Sequence, residues 1–79
     1  MEKEIKLPQW GEGMEDGEIS EWLVSVGDEF KKGQVIASIE IDKTIAELEA
    51  PFEGKITSIV HDVGDVILVG DVIALAQEI

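Results

Sequence analysis

Neither cysteine nor arginine occurs among the 79 residues, and all six cations are lysine. Without cysteine there is no disulfide framework, no thiolate metal site and no thiol nucleophile. Packing alone must hold the fold, and the absence fits a reducing compartment. Positive charge is scarce, six lysines against 18 acids, for a formal net charge of −12. Such a chain repels phosphate backbones and anionic headgroups, which argues against nucleic acid and membrane surfaces as partners and favours a basic or polar-rimmed protein. Long apolar runs are absent too. None approaches the ~20 residues that span a bilayer, and the opening MEKEIK has no signal-peptide pattern. The carboxylates are scattered, with neither calcium-loop nor glycosidase-like spacing. Gly11, Gly13 and Gly17 have the wrong spacing for a phosphate loop, and Glu12, Glu15 and Asp16 would repel phosphate. His61 stands without a triad or ligand set and reads as a solvated loop residue. Neither a catalytic nor a metal site is expected.

At 44% apolar residues the chain is not disordered by composition. Its length allows one small domain over residues 1–79 that buries roughly 60–65% of its unfolded surface and is stable by about 4–12 kcal/mol. The glycines reveal a repeat. GEISEWLVSVGDEFKKGQVIA (17–37) aligns without gaps on GKITSIVHDVGDVILVGDVIA (54–74) at a constant offset of 37. Val26-Gly27-Asp28 matches Val63-Gly64-Asp65, and Val35-Ile36-Ala37 matches Val72-Ile73-Ala74. KEIKLP, ending at Pro8, likewise resembles AELEAP, ending at Pro51. Two equivalent halves related by a pseudo-two-fold axis follow, the first carrying an extra loop, QWGEGMED. The symmetry sets Ile79 where Asp42 lies in the other half, so the chain ends and the Asp42-Lys43 region should sit at opposite ends.

Apolar positions rich in Ile and Val, with turn signals about every ten residues, predict an all-β sandwich or barrel. Strands are expected near 3–8, 17–24, 35–41, 44–50, 54–60 and 72–78, with shorter pieces near 28–31 and 65–68. Gly27 and Gly64 are expected at positive φ. Trp22, within a strand, is expected in the core. If Asp42-Lys43 is a two-residue loop, Ile41 faces Thr44, Ile39 faces Ala46, Ala37 faces Leu48 and Val35 faces Ala50. This face is mostly apolar. Glu40–Ile45, Ser38–Glu47 and Ile36–Glu49 form the other, mostly polar. A one-residue slip would scramble the division, so the register is specified. Asp-Lys lacks the Asn-Gly or Asp-Gly signature of the tightest hairpins, and a type I turn is expected.

Lys43 therefore projects from a hairpin tip. An acidic neighbour and an exposed position do not supply the desolvation that Schiff-base lysines need. Steric access suits a lysine that another enzyme acylates.

The stretch LPQWGEGMEDGEISEWLVSVGDEFKKGQVIASIEIDKTIAELEAPFEGKI resembles the lipoyl domain of the acyltransferase (E2) components of 2-oxo acid dehydrogenase complexes. The likeness covers essentially the whole chain. It implies a flattened barrel of two four-stranded antiparallel sheets with a pseudo-two-fold axis, and lipoic acid in amide linkage to Lys43. It implies a non-catalytic carrier, a swinging arm that is reductively acylated by a thiamine-diphosphate decarboxylase (E1). The arm passes the acyl group to the acyltransferase core and is reoxidised by a dihydrolipoyl dehydrogenase (E3). A lipoate ligase, or a lipoyl synthase and transferase, would install the group, reading Glu40, Asp42 and Thr44. Trp10, Glu12 and Met14 of the extra loop would contact the decarboxylase, with pyruvate- or acetoin-type relatives favoured. The family tip is commonly Asp-Lys-Ala, so Thr44 is a departure. The Ala/Pro-rich linker expected after such a domain is missing, and an excised N-terminal domain with Met1 as its natural start is the reading. The isolated domain is expected to be monomeric, in a bacterial or archaeal cytoplasm. A biotinyl carrier domain of a carboxylase is the alternative within the same fold; its lysine usually lies between two methionines, whereas here Asp42 and Thr44 flank it. An unmodified interaction module is the third reading.

Overall fold

Alternation of apolar and polar residues builds eight strands in the computed structural model, which describes residues 2–79. Met1, read above as a natural start, lies outside them. The strands are β1 (Glu2–Lys6), β2 (Asp16–Trp22), β3 (Glu29–Phe30), β4 (Val35–Ile41), β5 (Thr44–Glu49), β6 (Gly54–Ile59), β7 (Val66–Leu68) and β8 (Val72–Glu78). Two antiparallel four-stranded sheets result, ordered β1-β8-β6-β3 and β5-β4-β2-β7. The fold is the all-β sandwich expected from the sequence. Its extents of 33 × 22 × 18 Å make it a flattened barrel. The expected strands are all present, shortened mainly where Pro8, Pro51 and the VGD turns end the pairing.

Symmetry is visible bond by bond. Gly27 N–H donates to the Ile56 carbonyl, and its counterpart Gly64 N–H donates to Ile19. Both glycines have positive φ, 96° and 94°, as expected. Gly33 N–H donates to Ala50, and Gly70 N–H to Leu7, which confirms the match of AELEAP with KEIKLP. Each half thus clips its turn onto the other half's sheet. In the outer position of each sheet stands a short strand from the opposite half, β3 beside β6 and β7 beside β2.

Ile5, Leu7, Ile19, Phe30, Ile36, Ile39, Ile56, Ile67 and Ile73 fill the space between the sheets, each almost wholly buried. Burial of each such side chain contributes roughly 1.5–3 kcal/mol. Ile36 departs from the polar face assigned above. The β4–β5 pairing runs as expected from Ile41–Thr44 to Ala37–Leu48, then shifts so that Val35 faces Glu49. A β-bulge at Ile36 lets both Ile36 and Ala37 point inward, since the extra residue breaks strict alternation. The β1–β8 pairing shifts at the equivalent place, with Ile73 and Ala74 both buried. Trp22 is half-buried at the core margin rather than inside it. Its indole N–H donates to the His61 carbonyl at 2.9 Å. His61 is consequently more constrained than a solvated loop residue, and its Nδ1 lies 3.3 Å from Asp65.

A lysine tip between two hollows

The β4–β5 hairpin closes through Asp42 and Lys43, with φ of 48° and 68°. Both central residues therefore lie in the left-handed region, as a type I′ turn requires, and the expected type I turn is corrected. A two-residue link must follow the right-handed twist of its strands, and type I would splay them. Twist overrides the residues' own preferences here. Asp tolerates this backbone comparatively well, whereas lysine does not.

Glu40, Asp42, Lys43 and Thr44 are all exposed. Lys3, Lys6 and Lys31 pair with Glu78, Glu4 and Glu53. Lys43 makes no ion pair among the described residues. It stands beside Asp16, Glu18, Glu40, Asp42 and Val66, which line a shallow hollow at the end of the sheet.

Cross-strand register shows how unusual this surface is. One row across the outer face runs Ile45–Glu40–Glu18–Val66. Its symmetry mate in the other sheet runs Glu2–Gln77–Lys55–Glu29. The second row sets Lys55 between Gln77 and Glu29, with no like charges opposed, while the first sets two carboxylates directly opposite each other, an arrangement that destabilises a sheet. Sequence reading named Glu40 and missed Glu18 and Val66. The offset of 37, which aligns Glu18 with Lys55, carried that signal.

The other side of the tip meets the extra loop. Met14 N–H donates to the Gly11 carbonyl at 3.3 Å, Gln9 Nε2 donates to the Met14 carbonyl at 3.4 Å, and Trp10 N–H approaches Met14 Sδ at 3.4 Å. Met14 packs against the core and anchors the loop, while Trp10 stays 41% exposed and Glu12 is exposed. Loop and hairpin together enclose an open groove of about 600 Å³, lined by Trp10, Met14, Ile41, Asp42, Thr44 and Ala46 among others. The structure thus brings the expected contact residues within one groove of the lysine. Glu2 and Ile79 lie elsewhere, Glu2 beside Gln77 and Ile79 bonded to Glu53, in the place symmetry-equivalent to the tip.

The family model for biotin- and lipoyl-bearing domains, described as biotin-requiring enzyme, matches residues 3–75. The chain belongs to the biotinyl/lipoyl attachment domain family. Within it, the dihydrolipoyllysine-residue acetyltransferase component of the pyruvate dehydrogenase complex of Staphylococcus epidermidis is 39% identical over 70 residues. That match takes in 89% of this chain and 16% of the relative. The homologous component of Staphylococcus aureus matches equally over the same length. The chain therefore spans about one-sixth of the curated relatives it matches. The solution structure of the lipoyl domain of the 2-oxoglutarate dehydrogenase complex of Azotobacter vinelandii is 33% identical, with a TM-score of 0.75 and 95% of both chains covered. The urea carboxylase of Kluyveromyces lactis contains a similar unit, 25% identical with a TM-score of 0.81, covering 98% of this chain and 6% of that one. Similarity of this attachment domain thus runs both to lipoyl domains of 2-oxo acid dehydrogenase complexes and to a unit of a carboxylase.

Proposed function

We propose that Lys43 carries lipoic acid in amide linkage and that the domain is a non-catalytic carrier of acyl groups and electrons. The observation that carries this reading is the backbone at Lys43. An exposed lysine, without an ion pair among the described residues, occupies a left-handed position that glycine would fill better. Such a residue is retained for its side chain. Lipoate is favoured over biotin because sequence identity is higher to the lipoyl domain, 33%, than to the urea carboxylase unit, 25%, and because no methionine flanks Lys43 in the sequence. When attached, the group supplies a disulfide that accepts an acyl group as a thioester together with two electrons, then yields both. The thiol chemistry belongs to the cofactor, so a cysteine-free domain is sufficient.

The chain's own residues hold, present and steer. β4 and β5 keep the attachment nitrogen clear of the barrel. Glu40, Asp42 and Thr44 surround it and form the surface that a lipoate ligase or lipoyl transferase reads. Trp10, Glu12 and Met14 offer a contact to a thiamine-diphosphate decarboxylase. The further partners are the acyltransferase core and dihydrolipoyl dehydrogenase. Tethering to such a complex presents the arm at an effective concentration of order mM. The net charge of −12 steers the domain to basic active-site entrances.

The test is reductive acylation of lipoylated domain by thiamine-diphosphate decarboxylases specific for different 2-oxo acids, read by mass. An acetyl gain with the pyruvate enzyme, slowing as salt rises from 20 to about 300 mM, is expected. No acyl gain with any 2-oxo acid decarboxylase contradicts the carrier reading, and a salt-independent rate contradicts the steering.

A further inference from the structure

The tip divides two hollows that share Asp16 and Asp42 and differ in their apolar lining. On one side Lys43 lines a hollow together with Asp16, Glu18, Glu40 and Asp42. On the other lies the groove of Trp10, Met14, Ile41 and Ala46, which Lys43 itself does not line. Its two covalent neighbours, Asp42 and Thr44, do line it, so the groove begins one residue from the attachment point. Charge assigns the free lysine to the first hollow, because an ammonium is favoured beside carboxylates.

Acylation of Nζ reverses that preference. The ammonium becomes a neutral amide, and an apolar chain ending in a five-membered disulfide ring is added. Nothing then holds the side chain among carboxylates, and apolar surface is better placed against apolar surface. Ring sulfurs make favourable contacts with an aromatic face, which Trp10 offers at 41% exposure. We propose that the lipoyl arm docks in the Trp10–Met14 groove of its own domain, so that modification moves the lysine side chain from the acidic hollow to the apolar groove. This rests on the lipoate reading above. A short tether gives an effective concentration of order mM. A groove of mM affinity is thus about half occupied, shallow enough for a partner enzyme to displace the arm. Glu12, Glu15, Asp16 and Asp42 also border the groove, and they repel phosphate-bearing thiols from a docked arm.

The experiment compares isotope-labelled domain before and after lipoylation, with intact mass establishing the adduct on Lys43 first. Nuclear Overhauser contacts from the dithiolane ring protons to the Trp10 indole and the Met14 methyl are expected. Shifts should fall in that groove and in the acidic hollow that the lysine leaves, with the Trp22 indole, bonded to His61, unmoved. Trp10→Ala should erase the contacts, and an octanoyl arm, lacking sulfur, should show weaker ones. A confirmed adduct with no contacts to either residue overturns docking and leaves the carrier reading standing. Failure of any ligase to form the adduct overturns both.

Discussion

At Lys43 the backbone and the side chain have opposed requirements. A φ of 68° costs a residue with a Cβ about 1 kcal/mol relative to glycine. Lys43→Gly is therefore expected to raise stability by about 1 kcal/mol, read as a higher urea midpoint with an unchanged slope, while removing the site of attachment. A loss of stability would mean that the lysine side chain itself holds the tip. Lys43 was legible in the sequence because the hydrophobic division of the hairpin left one register. Its strain was not, because turn type follows from strand twist, a property of the whole sheet. Trp22 was misplaced for a similar reason, since a period-2 pattern gives the face but not the depth at a sheet margin. Its indole N–H needs a partner when covered, and the His61 carbonyl, 39 positions away, provides it.

Among the elements, β4 shows where period-2 reading stops. From Ile41 to Ala37 the alternation is strict and the pairing is as expected. At Ile36 a bulge inserts one residue, and no residue in VIASIEI announces it. The repeated VIA at 35–37 and 72–74 does mark the place, since both copies bury two consecutive residues there. Ile36→Ala is accordingly expected to cost about 2–5 kcal/mol. Ile45→Ala, 53% exposed on the outer face, should change stability by under about 0.5 kcal/mol. Denaturant unfolding of the two variants checks this, and equal small effects would contradict the bulge. Alternation, glycine spacing and the internal repeat made the eight strands and both sheets recoverable from sequence. The juxtaposition of the extra loop with the tip was legible only through the family resemblance, because no local pattern fixes how QWGEGMED folds back around Met14.

The whole molecule carries its charge unevenly. Two symmetry-related rows cross the outer faces, and only the row beside Lys43 sets Glu18 against Glu40. Two opposed carboxylates weaken the sheet there and place a negative field beside Lys43. Glu18→Lys, which installs the residue of the other half, should stabilise the domain by roughly 0.2–1 kcal/mol at low salt, and the gain should shrink as salt is added. A domain that is destabilised, or a gain indifferent to salt, would show that the row is not under electrostatic strain. The same variant should also slow recognition by enzymes with basic entrances.

The central claim is that Lys43 is an attachment site for lipoate. Its most direct test is intact-mass analysis with peptide mapping after incubation with lipoate ligase, ATP and lipoate, beside a biotin ligase control. A single lipoyl adduct confined to the peptide containing Lys43, and lost in Lys43→Ala, is the predicted result. An adduct from the biotin ligase alone would contradict the lipoyl assignment, and a folded domain modified by neither enzyme would contradict the carrier function itself.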